Sequence, residues 1–107
     1  MIFRKKLRYV LVEASADARM ADPRNPEELK AGVRAFLGEL QYFKANPQIA
    51  AVLSSNVFVM VVNRGYERSL ALALAFVKGL GGRRMGFYTI KTSGTIRSIK
   101  ATFGQVY

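Results

Sequence analysis

The sequence predicts a mixed α/β sandwich, and three observations support it. Stretches rich in β-branched and aromatic residues recur at Lys6 to Ala14, Val57 to Asn63 and Arg83 to Thr92, which is strand composition. Apolar residues at helical spacing lie between them: Leu29, Val33, Phe36, Leu37 and Leu40, then Leu70, Ala73, Leu74 and Val77. Only Ser55-Asn56 separates Gln48 to Ser54 from Val57 to Asn63, a link short enough to require an antiparallel hairpin.

In the first strand, Leu7, Tyr9 and Leu11 point one way and Arg8, Val10 and Val12 the other. Apolar residues on both sides predict a central strand covered, at least in part, on both faces. A polar connection, Ala16 to Asn25, leads to the first helix, expected from Pro26 to about Phe43. Asn25 is its expected N-cap, Pro26 its first residue and Glu28 the third. Asn46-Pro47 then marks a turn. Gln48 to Ser54 reads as the second strand, although Ala50 and Ala51 also permit a continued helix. A second helix is expected from Tyr66 to Lys78, ended by the glycine-rich Gly79-Leu80-Gly81-Gly82. A fourth strand follows, and Ile96, Ile99 and Phe103 place a last helix at the C-terminus. The order is βαββαβ with an added C-terminal helix, an α+β sandwich of the ferredoxin-like or RRM-like kind. Two helices should cover one sheet face, leaving the other open or under the last helix.

With 107 residues, half of them apolar, the chain makes one domain, 1–107, with a real core. Its longest apolar run, Leu70 to Val77, is far too short to span a bilayer. The N-terminal Arg4-Lys5-Lys6 resembles a leader, but Arg8 and Glu13 leave only Tyr9 to Val12 as an apolar stretch, so the segment reads as mature protein. With no cysteine and no histidine, disulfides, thiol nucleophiles and imidazole chemistry are excluded. The net charge of +10 is unevenly placed. Six of seven acids lie between Glu13 and Glu39, whereas from Arg68 onward there are seven cations and no acid. A field of one sign suits a polyanion, most simply nucleic acid.

The densest signal is Ser93-Gly94-Thr95-Ile96-Arg97-Ser98-Ile99-Lys100. Ser93 or Thr92 is the expected N-cap, and Arg97 and Lys100 are neighbours off the apolar stripe. Free N–H groups, hydroxyls and two cations suit a phosphate. The same residues also describe an ordinary capped helix with cations on its surface.

This stretch resembles the C-terminal signature of the ribonuclease P protein component 2 family, a small RNA-binding subunit of archaeal and eukaryotic ribonuclease P. Leu7-Arg8-Tyr9-Val10-Leu11-Val12-Glu13 looks like that family's opening strand, and Asn63-Arg64-Gly65-Tyr66 like its entry into the second helix. Two departures stand out. Gln41 replaces a glycine expected after Leu37-Gly38-Glu39, which suggests a longer first helix, and Val61-Val62 stands where an Arg is frequent.

The resemblance implies an RRM-like fold and a non-catalytic role beside an RNA that removes the 5′ leader of precursor tRNA. It implies Mg2+ for the RNA-catalysed reaction and no cofactor on the protein. Implied partners are ribonuclease P RNA, precursor tRNA indirectly, and the TIM-barrel protein component 3, with room for a homodimer inside a heterotetramer. The implied location is cytoplasmic, or nuclear and nucleolar in a eukaryote, with no membrane partner. Expected RNA contacts are Ser93, Thr95, Arg97, Lys100, Arg83, Arg84, Arg4, Lys5, Lys6 and Arg8, chiefly to phosphates. Leu72 and Phe76 lie off the buried stripe of the second helix and are the expected protein-docking residues.

Other functions fit less well. Gly79 to Gly82 follows a helix and lacks the Gly-Lys-Ser/Thr of a phosphate loop. Tyr9 and Phe58 are better placed as core than as base-stacking platforms, because the strand Val57 to Asn63 lacks the aromatic RRM signature. An acylphosphatase has this size and strand order, but Ala14 to Met20 supplies no glycine-rich arginine loop. Glu27 and Glu28 are expected to serve the helix dipole, and no catalytic constellation is found. A ribosomal-type RNA-binding protein of the same fold is the second reading.

Overall fold

Strand β1 (Leu7–Ala14) is the centre of a four-stranded antiparallel sheet in the computed structural model, which describes residues 6–106. The sheet order is β2-β3-β1-β6, with β2 Gln48–Val52, β3 Val57–Asn63 and β6 Phe87–Ser93. Pairing of β1 with β3 runs unbroken from Leu7 opposite Asn63 to Glu13 opposite Val57. Pairing with β6 shifts once: Leu11 faces Lys91 and Val12 faces Thr89, so Ile90 is the extra residue of a bulge.

Both faces of β1 are buried, as its composition predicts. Val10, Val12 and Ala14 join Phe58, Met60 and Val62 beneath Leu29 and Val33 of α1 (Arg24–Leu37) and Leu70, Ala73 and Leu74 of α3 (Glu67–Phe76). On the opposite face Leu11, Val57 and Val59 pack under Ile99 of α4 (Ile96–Val106), with Tyr9 and Phe103 at the margin. Each such fully buried side chain contributes roughly 1.5–3 kcal/mol relative to an exposed one. The terminal helix is therefore the second layer of the core. Phe58 meets Phe87 edge-on at 6.2 Å inside the first core, so it is no base-stacking platform.

Five local expectations are corrected. The first helix does not run to Phe43: it ends at Leu37, Gly38 turns at φ 84, and a separate α2 (Glu39–Ala45) follows. A left-handed turn is open to glycine without a Cβ clash, so the turn survives the substitution of Gln41. This break takes Leu40 off the buried stripe and leaves it exposed. Asn25 is not an N-cap either. Helix α1 starts at Arg24, two residues before Pro26, and the buried Asn25 side chain donates to the carbonyls of Ala18 (3.2 Å) and Arg19 (2.9 Å).

The hairpin link is Leu53 to Asn56 rather than two residues, because β2 stops at Val52. Helix α3 ends at Phe76, and Val77 continues in extended backbone. Residues 79–84 are not a plain turn: β4 (Gly79–Leu80) pairs with β5 (Arg83–Arg84) about Gly81 and Gly82, at φ 59 and 76. Two positive-φ residues define the tight hairpin turn that strand twist favours.

Candidate nucleic-acid interface

Registration of β1 against β6 places Tyr9 opposite Ser93, so the turn into α4 lies beside Arg8. A Cβ on Gly94 would sit 2.9 Å from the Arg8 Nη1, meaning that the guanidinium rests against the glycine backbone. The capping hydroxyl is Thr95, not Ser93 or Thr92: the Ser98 N–H donates to Thr95 Oγ1 at 3.3 Å. Ser93 Oγ accepts the Thr95 N–H at 3.3 Å and so shapes the turn before the helix. Arg97 and Lys100 are exposed on α4, whose first turn carries no acid. Cations near a helix N-terminus oppose the macrodipole, and an anion docked there reverses that penalty.

Among the described residues the ion pairs are Arg24 with Asp22 (2.8 Å), Lys30 with Glu27 (3.1 Å) and Arg34 with Glu39 (2.9 Å). All three lie on or next to α1. Lys6, Arg8, Arg97 and Lys100 take part in none of them; Lys6, Arg97 and Lys100 are exposed, and the half-buried Arg8 donates from Nη1 to the Leu7 carbonyl at 3.4 Å. Glu27 thus serves Lys30, while Glu28 accepts the Gly81 N–H at 2.6 Å, a tertiary role beyond the expected dipole one.

The basic residues expected on one face fall into two groups. Arg8 lies against Gly94 in the turn, and Arg97 and Lys100 follow on α4 directly after it. Lys6 lies at the same end of β1, where its carbonyl accepts the Arg64 N–H at 2.8 Å. Arg4 and Lys5 lie outside the described residues. Arg83 and Arg84 are on the β4–β5 hairpin, beyond the other end of β1, where Arg83 Nη2 donates to the Asp17 carbonyl. Six residue steps from Arg8 to Ala14 correspond to about 20 Å of strand.

Sequence reasoning missed Lys44 and Arg64, which line a cleft of about 400 Å3 with Lys6, Phe43, Asn63 and Tyr66. Arg64 stood inside the Asn63-Arg64-Gly65-Tyr66 motif, whereas no local signal marks Lys44. Arg19 and Arg24 were missed too. Arg24 hydrogen-bonds Asp22 through its side chain and backbone N–H, and these contacts lower the Asp22 carboxyl to about pKa 2.

Leu72 and Phe76 are 52% and 62% exposed, on the side of α3 away from the sheet. The Phe76 ring stacks on Phe36 of α1 at 4.8 Å between centroids, so the two helices present one apolar strip.

A basic βαββαβ sandwich whose second face is closed by a terminal helix defines the structural class. Within it, the Rpp14/Pop5 family profile matches residues 8–103, and the chain belongs to that family. It is 33% identical over 98 residues to ribonuclease P protein component 2 of Methanocorpusculum labreanum, covering 91% of this chain and 65% of the relative. The chain therefore spans just under two thirds of that relative's length. Its fold is similar to that of a chain in the cryo-EM structure of yeast ribonuclease MRP, with a TM-score of 0.64 at 8% identity, over 98% of this chain and 96% of the other. The ribosomal-type and acylphosphatase readings gain no support from these likenesses. No helix among the described residues is long and apolar enough to cross a membrane.

Proposed function

We propose that the chain is a non-catalytic RNA-binding subunit of ribonuclease P that supports the catalytic RNA in removing the 5′ leader from precursor tRNA. The observation that carries this reading is the Arg8 guanidinium against Gly94 at the turn into α4, the helix that carries the exposed Arg97 and Lys100, with none of the three in a salt bridge among the described residues. Family membership and the relative named ribonuclease P protein component 2 supply the RNA. Phosphates are the fitting contacts, since the half-buried Arg8 at the turn and the exposed Arg97 and Lys100 on α4 offer charge beside helix N–H donors.

In this reading the exposed strip of Phe36, Leu72 and Phe76 docks a protein subunit, with the TIM-barrel component 3 as the partner and a homodimer within a heterotetramer as the assembly. Mg2+ serves the RNA-catalysed step and is held on the RNA. The compartment is the cytoplasm, or the nucleus and nucleolus in a eukaryote. The test is RNA binding across a salt series with ribonuclease P RNA transcribed in vitro. Arg97→Ala should reduce the slope of log affinity against log salt by about 0.7–0.9, one phosphate's worth. An unchanged slope for Arg97→Ala together with a changed one for Glu27→Ala would move the RNA to another face.

A further inference from the structure

We propose a second RNA-phosphate site in the cleft of about 420 Å3 between the Arg19 loop, the start of α1 and the Gly81–Gly82 turn. It deepens the RNA-binding reading above and rests on it. Three arginines, Arg19, Arg24 and Arg83, line this cleft, the first two from the stretch that leads into α1 and the third from the β4–β5 hairpin. Two acids, Asp22 and Glu28, share it, but both are already engaged. Asp22 receives Nε and Nη2 of Arg24 at 3.2 and 2.8 Å, and Glu28 receives the Gly81 N–H at 2.6 Å. Neither Arg19 nor Arg83 is ion-paired with a carboxylate among the described residues; Arg83 Nη2 meets only the Asp17 carbonyl. Asp22 is thus taken up chiefly by Arg24, with Arg19 acting on it only through space, and Arg83 has no carboxylate partner among the described residues.

The backbone gives Arg19 a fixed position. Arg19 has φ 50, a left-handed conformation that a long side chain rarely adopts, and Ala18 and Met20 on either side are buried anchors. The buried Asn25 amide clamps the Arg19 and Ala18 carbonyls, so the loop is held from inside the fold. Planar guanidinium forks match the paired oxygens of a phosphodiester better than they match a point anion. This cleft lies about 20 Å along β1 from the Arg8 and Gly94 contact. One RNA would therefore meet the protein at both ends of the central strand.

The experiment uses the full chain and ribonuclease P RNA transcribed in vitro, with affinity measured from low to high salt. Arg19→Gly removes the guanidinium while the loop keeps its left-handed backbone at no steric penalty, and Arg19→Asn is a second variant tolerant of that conformation. Arg83→Gln keeps an N–H donor for the Asp17 carbonyl. Each should weaken binding roughly 5-fold at 0.1 M salt and lower the salt slope by about 0.7–0.9. Combined with Arg97→Ala the losses should multiply, because sites this far apart act independently.

Wild-type affinity and slope in Arg19→Gly, Arg19→Asn and Arg83→Gln, beside weakened Arg97→Ala, overturn the second site and leave the RNA-binding reading intact. Failure of the unmodified chain to bind the RNA overturns both. Inorganic phosphate is the remaining probe: saturable amide shifts at Gly81 to Arg83 without any RNA defect in Arg19→Gly overturn RNA as the source of the anion.

Discussion

The Arg8 guanidinium lies against Gly94, with Nη1 2.9 Å from the point where a Cβ would stand. The sheet register prepares this contact: Val10 faces Thr92 and Tyr9 faces Ser93, so one step further along the same pairing Arg8 comes level with Gly94. The contact arises where β6 turns into α4. Gly94 has no positive φ to explain it, so its value is the space it leaves for a cation.

Gly94→Ala tests that contact. The group displaced is the far end of a flexible side chain, so the expected stability change is small, within about 1 kcal/mol. Arg8 must move away from the turn, and affinity for ribonuclease P RNA should fall as it does in Arg8→Ala. Thermal unfolding and filter binding on the same samples separate the two effects. Unchanged RNA affinity in Gly94→Ala would mean that the placement of Arg8 is irrelevant.

Replacing Leu72 and Phe76 by serine probes the helix strip. Both are more than half exposed, so the fold should persist; Phe76→Ser gives up its stacking on Phe36, worth about 0.5–1.5 kcal/mol. Binding to the protein component 3 subunit should be lost while RNA binding by the isolated chain is kept. Full activity of a reconstituted enzyme carrying both changes would remove this strip from the assembly.

Asn25→Leu should be the most damaging of these substitutions to the fold. It strips the donors from two carbonyls, those of Ala18 and Arg19, in a part-buried loop. Leaving such groups unpaired costs about 1–3 kcal/mol, which for a chain of this size lowers Tm by roughly 4 °C or more. A melting curve superimposed on the wild type would show that the loop does not depend on this clamp.

The Asp22 carboxyl should titrate near pH 2, held down chiefly by the hydrogen bond from the Arg24 side chain and then by the Arg24 N–H. A depressed acid contributes its stability above its unfolded pKa and loses it as pH falls toward 2. Carboxyl NMR through that range should show the low midpoint in the wild type and a return toward the ordinary carboxylate range in Arg24→Gln. A midpoint near 4 in the wild type would contradict the pairing.

Periodicity alone placed the strands and helices that make the layers. Apolar residues on both sides of Leu7 to Val12 pointed to cover on both faces of β1, and the i, i+3 and i+7 positions Ile96, Ile99 and Phe103 offered a helix fit to give it, although the sequence alone leaves the second face either open or under that helix. Leu72 and Phe76 were legible as outward-facing for the same reason, since one helix can bury only one stripe. Local chemistry was less legible. Asn25 and Thr95 are both good capping residues, and their neighbours in sequence do not say which hydroxyl or amide is called away to tertiary partners. Asn25 was drawn inward because the loop carbonyls of Ala18 and Arg19 needed donors there.

Only the tertiary structure decided which cations share a surface. Arg83 and Arg97 are fourteen positions apart, yet β6 carries the chain from one end of β1 to the other between them. Arg19 and Arg83, far apart in sequence, line one cleft instead. Charge has no period along a chain, and where it collects depends on the direction each strand takes across the sheet. Hydrophobic spacing records a face that every residue of an element shares, so it is written locally. A binding surface joins the ends of several elements, and that adjacency exists only once they have packed.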